Sequence, residues 1–301
     1  MLFKIILKIA IDTVFNKLYS LRGFKLYTLN GGLGDCMQLI DYISKNKQKE
    51  EKIIVAYFDT QKETQDVKSF NYGQSRKLSD NDGNLINPIR EFLLHWERKG
   101  VIAAVVPHDI RQSTLGTRLY CEIVNRFSDY DRDSVLTEYC SDTQRYEEIC
   151  TKLKITPNRY ICVHLRRNSQ QIIDALSAVA HKKKIPQVVI LGSSENQLLP
   201  DIPENLDTIS LIDSYKRGFN LRDVLTVLYF SNLFIGGRGG FEYFGLRVRD
   251  KNVLTLFDDD GFGEIERGWW KRELWSGHQK VLVRESATSS EQLSNIIYDL
   301  I

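Results

Sequence analysis

Four short stretches of this 301-residue chain hold the residue types that do chemistry, and three of them follow apolar runs with strand character. His164, Arg166 and Arg167 follow the run Tyr160-Ile-Cys-Val163, where a strand gives way to a loop. Guanidinium forks fit phosphate oxygens bidentately, so two of them at a strand mouth suit a diphosphate; the other reading is an ion pair with the chain's own carboxylates. Gly236-Gly-Arg-Gly-Gly-Phe-Glu242 is the second stretch. Its Gly237, Gly239 and Gly240 allow a ligand to approach backbone N–H groups, and Arg238 can reach a diphosphate. Glu242, in the first turn of the following helix, either accepts from ribose hydroxyls or offsets the helix dipole. The third is Gly192-Ser-Ser-Glu195, where Ser193 and Ser194 either hydrogen-bond a base or sugar or cap a helix. The fourth is Gly31-Gly-Leu-Gly-Asp35 near the start of the chain. Gly31, Gly32 and Gly34 form a turn able to take a phosphate or an acceptor. Asp35 is either an N-cap stabilising its helix by about 1 kcal/mol or a general base for a hydroxyl.

These stretches exclude some chemistries. The third glycine of a dinucleotide fingerprint falls on Met37, and no Gly-Lys-Ser/Thr follows to make a P-loop. His95, His108, His181 and His278 have no spacing that pairs them with a nucleophile. Two features stay open: Asp258-Asp-Asp260 is either a divalent-metal site or, in its glycine-rich loop, a solvated turn, the reading favoured here. Trp269, Trp270 and Trp275 either stack on a sugar or nucleobase or pack a domain edge, the favoured reading.

The elements that must position these residues alternate. Strands are expected at Phe24–Leu29, Lys52–Phe58 and Val101–Val106, and helices at Cys36–Asn46, from Pro88, at Leu115–Phe127 and at Tyr139–Leu153. Asp59–Asn87 is polar and reads as a long insertion. Thr156-Pro157-Asn158 marks a boundary, after which strands Tyr160–Val163, Gln187–Leu191, Leu206–Leu211, Leu233–Ile235 and Val253–Phe257 alternate with helices. The expected architecture is α/β, with two Rossmann-like doubly wound domains facing across a cleft. Residues 1–22 form an amphipathic helix, 23–156 an acceptor-side domain and 157–301 a donor-side domain, whose last helix is free to pack back on the first. Parallel topology brings the strand ends at His164, Gly192 and Gly237 to one sheet edge, as a nucleotide-diphosphate pocket requires.

Composition sets the outer limits. A formal net charge of +2 argues against a protein built to grip nucleic acid. Hydrophobic residues at 42% and charged residues at 27% are ordinary globular values. Five scattered cysteines with no CxxC indicate neither a disulfide framework nor a zinc site, and fit a cytoplasmic compartment. Lysines and an aspartate interrupt the apolar residues of positions 1–20, so that stretch does not span a bilayer. It either lies in a membrane interface, which would make the protein peripheral, or docks on the domain's own core.

The motifs resemble known ones. Gly-Gly-Leu-Gly-Asp35 is similar to the Gly-x-Leu-Gly-Asp motif of heptosyltransferase-like glycosyltransferases, which implies that Asp35 is the catalytic base. His164-Leu-Arg-Arg167 resembles the His-x-Arg-Arg motif of α1,6- and related fucosyltransferases, which implies that Arg166 or Arg167 grips the diphosphate of a GDP-sugar. Leu228-Tyr-Phe-Ser-Asn-Leu-Phe-Ile-Gly-Gly237 is similar to the donor-side helix–strand–loop of the same two-domain architecture, GT-B. In heptosyltransferases that loop continues Asp/Thr-Ser-Gly-Pro, whereas here it reads Gly-Arg-Gly-Gly-Phe. The implied activity is transfer of a sugar from a nucleotide-diphosphate donor, with GDP-sugars favoured, to a hydroxyl of a glycan or lipid-linked saccharide. The implied reaction is inverting, metal-independent and free of cofactors, in surface polysaccharide synthesis. The competing readings are a non-catalytic nucleotide- or sugar-phosphate-binding protein and a sugar-nucleotide epimerase of the same shape.

Overall fold

Runs of β-branched and aromatic residues separated by amphipathic helices give parallel sheets, because each crossover helix must bury its apolar stripe on a sheet face. The computed structural model describes residues 23–29, 33–58, 78–79, 85–108, 135–165, 169–192, 200–237, 239–247, 252–257 and 280–301. The chain divides into one unit of residues 1–79 and 83–129 and another of residues 80–82 and 130–301. The helices expected at positions 1–22 and Leu115–Phe127 lie outside the described residues, as do Asp258–Asp260 and the three late tryptophans. No described helix is long and apolar enough to cross a membrane.

In the first unit, β1 (Phe24–Leu29) leads to α1 (Leu33–Asn46) and β2 (Lys52–Phe58). A short antiparallel pair follows, β3 (Leu78–Ser79) with β4 (Leu85–Ile86), then α2 (Pro88–Arg98) and β5 (Ala104–His108). The sheet is parallel in the order β1-β2-β5. Asn87 caps α2, its Oδ1 accepting from the N–H groups of Ile89 and Arg90, and Pro88 at the first helical position needs no partner. The strand expected to begin at Val101 begins at Ala104, because Val101 and Ile102 donate back to the Trp96 carbonyl at the end of α2.

The second unit opens with α3 (Val135–Cys140) and α4 (Thr143–Leu153), where the sequence pattern suggested a single helix. Asp142 makes the break, its Oδ1 capping the Arg145 N–H at 3.0 Å. There follow β6 (Tyr160–His164), α5 (Ser169–Lys182), β7 (Gln187–Gly192), β8 (Thr208–Ile212) and a 3-10 turn at Ser214–Arg217. After these come α6 (Leu221–Phe230), β9 (Leu233–Gly237), α7 (Gly240–Arg247), β10 (Asn252–Phe257), β11 (Lys280–Arg284) and α8 (Ser290–Leu300). All six strands are parallel, in the order β11-β10-β9-β6-β7-β8.

One sheet face, with Ile161, Val163, Ile190 and Ile235, packs on Ile172, Leu176 and Val179 of α5 and Leu293 and Ile297 of α8. The last helix therefore belongs to this unit. Ser294 Oγ bonds the Ala175 carbonyl and Lys183 Nζ the Tyr298 carbonyl. Toward α6, Tyr160 Oη donates to the Val227 carbonyl at 2.7 Å. The boundary expected at 156 falls instead near residue 130, because α3 and α4 are bound to α6. Arg145 makes a bidentate pair with Asp223 at 2.7 and 2.9 Å, Tyr146 stacks on Phe230 at 4.1 Å, and Arg222 donates to the Tyr139 carbonyl.

Two backbone groups on the outer edge of β8 are covered by nearby side chains. The Val188 N–H bonds the Asp207 carbonyl and the Asp213 N–H the Gly192 carbonyl, so even-numbered residues of β8 turn their backbone groups outward. Of those groups, the Ser210 carbonyl accepts from Arg217 and the Ile212 N–H donates to Ser210 Oγ.

Candidate functional site

A sheet ordered in this way reverses direction once. From β6 the chain builds outward through β7 to β8, then returns to the other side of β6 to lay down β9, β10 and β11. The connections on either side of β6 pass to opposite faces, which opens a crevice outside the carboxyl ends of β6 and β9. His164 ends β6 and is paired in register with Gly236 of β9. Gly237 is the last residue of β9, and Gly192 ends the neighbouring β7. The three strand ends singled out from sequence thus lie side by side at one sheet edge. Arg166, Arg167, Ser193, Ser194 and Arg238 lie outside the described residues.

His164 is buried, with only 9% of its surface exposed, and the following Leu165 is fully buried. Its ring meets Phe241 edge to face, centroids 5.1 Å apart at 81°. Gly236 is a packing requirement. A Cβ there would stand 2.7 Å from Phe234 Cζ and 3.2 Å from His164 Cβ. Gly237 has room, its nearest neighbour being the Leu256 carbonyl oxygen at 3.5 Å. The glycine loop read from sequence as Gly236–Gly240 is therefore shorter. Gly236 and Gly237 finish the strand and Gly240 starts α7.

Glu242 is 4% exposed and its Oε2 accepts from the Gly239 N–H at 3.0 Å. Gly239 is the cap residue of α7 and Glu242 its third position, so this is the carboxylate half of a capping box. The Tyr243 N–H bonds the Gly239 carbonyl at 3.0 Å and closes the first turn. Of the two sequence readings of Glu242, this contact realises the one at the helix start. The N–H groups of Gly240, Phe241 and Glu242 itself precede the first helical bond, as an oxyanion at a helix start needs.

In the first unit, α1 begins at Leu33, which puts Gly34 second and Asp35 third in the helix. Asp35 is therefore in the first turn, three positions past the cap rather than at it, and a carboxylate at such a position complements the positive end of the dipole. Gly31, Gly32 and the Asp35 side chain lie outside the described residues. Among the described residues, no three His, Cys, Asp or Glu side chains converge as a metal would need. Cys36, Cys140, Cys150 and Cys162 are buried free thiols.

A shallow cleft of about 650 Å3, lined by Tyr146, Cys150, Lys154, Asn158 and Phe230 among others, lies at the amino end of β6. That is the edge opposite His164, so the cleft is separate from the crevice at the strand ends. Sequence reasoning passed over Phe241 and Gly236 as site-building residues. An aromatic residue directly after a glycine pair, at the second helical position, was the available signal.

Solved structures match the chain over almost its whole length, among them two glycosyltransferases. One is a family 9 glycosyl transferase from Veillonella parvula DSM 2008, with a TM-score of 0.51 at 10% identity, covering 92% of this chain and 97% of that one. The other is the ADP-heptose lps heptosyltransferase II of E. coli, with a TM-score of 0.51 at 9% identity, covering 91% and 97%. Similarity at such identities is similarity of fold, and it gives this chain the paired Rossmann-like architecture of GT-B proteins. No protein-family model matches the sequence, and no curated protein matches it significantly.

Proposed function

We propose that the chain is a glycosyltransferase that moves a sugar from a nucleotide-diphosphate donor to a hydroxyl of a glycan or lipid-linked saccharide. The observation that carries this reading is the switch point between β6 and β9, where His164 and Gly237 end their strands. The whole-length likeness to sugar-transferring enzymes supports it. In this reading the second unit holds the donor. In it Arg166, Arg167 and Arg238 neutralise the diphosphate, and the first-turn N–H groups and dipole of α7 assist them. As the acceptor oxygen bonds to the anomeric carbon, the bond from that carbon to the diphosphate breaks. The nucleoside diphosphate leaves with the electron pair, and the guanidiniums stabilise the charge that develops. The first unit supplies the base, Asp35, which takes the acceptor's hydroxyl proton. Attack opposite the leaving group inverts the anomeric centre. This scheme assigns no step to a metal or cofactor. A peripheral site of action at a membrane, through residues 1–20, fits a lipid-linked acceptor.

The test is a thermal-shift panel of GDP, UDP, ADP and CDP on wild type and Arg166→Ala. A ligand at about 100 times its Kd stabilises the folded state by about 2.7 kcal/mol. One nucleotide is expected to raise the wild-type Tm and to lose that effect in the variant, with GDP first in line. Asp35→Ala should keep the shift and lose transfer. No shift with any nucleotide overturns the donor site. Retained transfer in Asp35→Ala removes the base.

A further inference from the structure

We propose that the cleft at the amino end of β6 is a binding site for a neutral saccharide, separate from the crevice at the strand ends. A role in glycan transfer rests on the glycosyltransferase reading; the binding itself does not. The cleft, of about 650 Å3, has the size of a small-molecule site and is built wholly from the second unit. Part of its lining is apolar. Phe230, half-buried at the end of α6, stacks on buried Tyr146, and Ile155 and Pro157 also face the cleft. The polar part is uncommitted. Glu147, Lys154 and Asn158 are exposed, and none of their side chains makes a hydrogen bond or ion pair among the described residues.

Those three side chains define the ligand. A carboxylate only accepts, an ammonium only donates, and an amide does both. Sugar hydroxyls answer all three, because each one donates and accepts, and the C–H face of a pyranose suits the apolar part. A nucleoside diphosphate would find one cation offset by one carboxylate. Arg145, on the same helix as Glu147, is already paired with Asp223 and Glu148. A lipid chain would strip water from all three polar groups and offer them nothing. The wall that carries Lys154 and Asn158 is formed before any ligand arrives. Lys154, at φ 58°, ends α4 in the left-handed turn closed by the bond from the Ile155 N–H to the Cys150 carbonyl at 2.9 Å. Glycine is the usual residue there, and a lysine is held at a conformational cost that glycine avoids. Asn158, at φ 55°, donates its N–H to Tyr146 Oη at 2.9 Å. Between them Gln187 accepts from the Thr156 N–H at 2.6 Å and donates to the Lys154 carbonyl at 3.4 Å. The backbone is thus tied down while the side chains stay open, which spares a ligand the cost of ordering the loop. In the glycosyltransferase reading the cleft holds a part of the glycan remote from the transferred sugar.

Amide chemical shifts of the isotope-labelled full chain test this. The probes are the neutral maltohexaose, cellohexaose, mannohexaose and chitohexaose, with GDP and glycine betaine as charged and zwitterionic comparisons. At least one saccharide, at millimolar concentration, should shift the amides of Glu147, Thr151, Lys154 and Asn158. Glu147→Ala and Asn158→Gly remove exposed side chains without protein partners, and glycine tolerates the left-handed backbone at 158. Each should weaken saccharide binding about fivefold, with the Tm unchanged. If no saccharide shifts these amides, the proposal is overturned, as it is by wild-type affinity in both variants. Shifts at these amides with GDP or glycine betaine, and none with a saccharide, assign the cleft to another ligand and equally overturn it. If the nucleotide panel fails while saccharide binding holds, the glycosyltransferase reading falls and the cleft stands as a saccharide site.

Discussion

Adding one methyl group at Gly236 and another at its neighbour should give opposite outcomes. In Gly236→Ala the new Cβ would lie 2.7 Å from Phe234 Cζ, closer than carbon atoms approach, and 3.2 Å from both Phe234 Cε1 and His164 Cβ. The ring cannot swing away easily. Phe234 is fully buried, so its ring is hemmed in by packed neighbours. Overpacking of this kind costs about 1–3 kcal/mol. For a unit of this size each kcal/mol lowers the Tm by about 2–4 °C. Gly237→Ala meets only the Leu256 carbonyl oxygen at 3.5 Å, an ordinary contact, and a side chain restricts the unfolded chain. Its expected effect is within about 0.5 kcal/mol of wild type. Urea unfolding of both variants, with the slope m monitored for constancy, measures the difference directly. Equal midpoints for the two would refute the packing explanation for Gly236 and return that glycine to the ligand.

Asp223→Ala removes the carboxylate that completes the α6 capping box with Asn220 and pairs bidentately with Arg145. Because Arg145 stays 37% exposed and can rehydrate, the expected cost is about 2 kcal/mol, less than for a fully buried pair; Asp223→Asn should cost less, by the same unfolding assay. Alkaline pH should destabilise the second unit. Burial pushes the Tyr146 phenol up to about 12 and the Tyr160 phenol well above its ordinary range. Unfolded phenols ionise near about 10, so this stability is complete below that pH and drains away as the pH rises toward 12. Tyr160→Phe should flatten the loss in a pH series of denaturant midpoints, and an unchanged slope would remove Tyr160 as its source.

The parts of the fold legible in sequence were those set by local chemistry. Tyr160 to His164 is buried at every position, so a continuous apolar run marks it as a central parallel strand. Gly236 reads as a loop glycine beside Gly237, whereas it lies inside β9 and the ring of Phe234, two residues earlier on the same strand face, fills the space of a Cβ. The domain boundary was placed at Pro157, the strongest local break, because the ties that bind α4 to α6 join residues 78 positions apart. Asp35 shifted from cap to third helical position because Leu33 and Gly34 already adopt helical geometry, which a glycine-rich turn does not advertise. Phe241 escaped notice because its partner, His164, is distant in sequence.

The partly covered edge at β8 bears on how the sheet is assembled as the chain is made. The central strand β6 emerges first, then β7 and β8, and Arg217 arrives only a few residues behind the carbonyl it covers. The other side of β6 then takes β9, which follows after a single helix, and the open edge passes to β10 and on to β11. Growth is then directional, away from the strand whose edge is covered first.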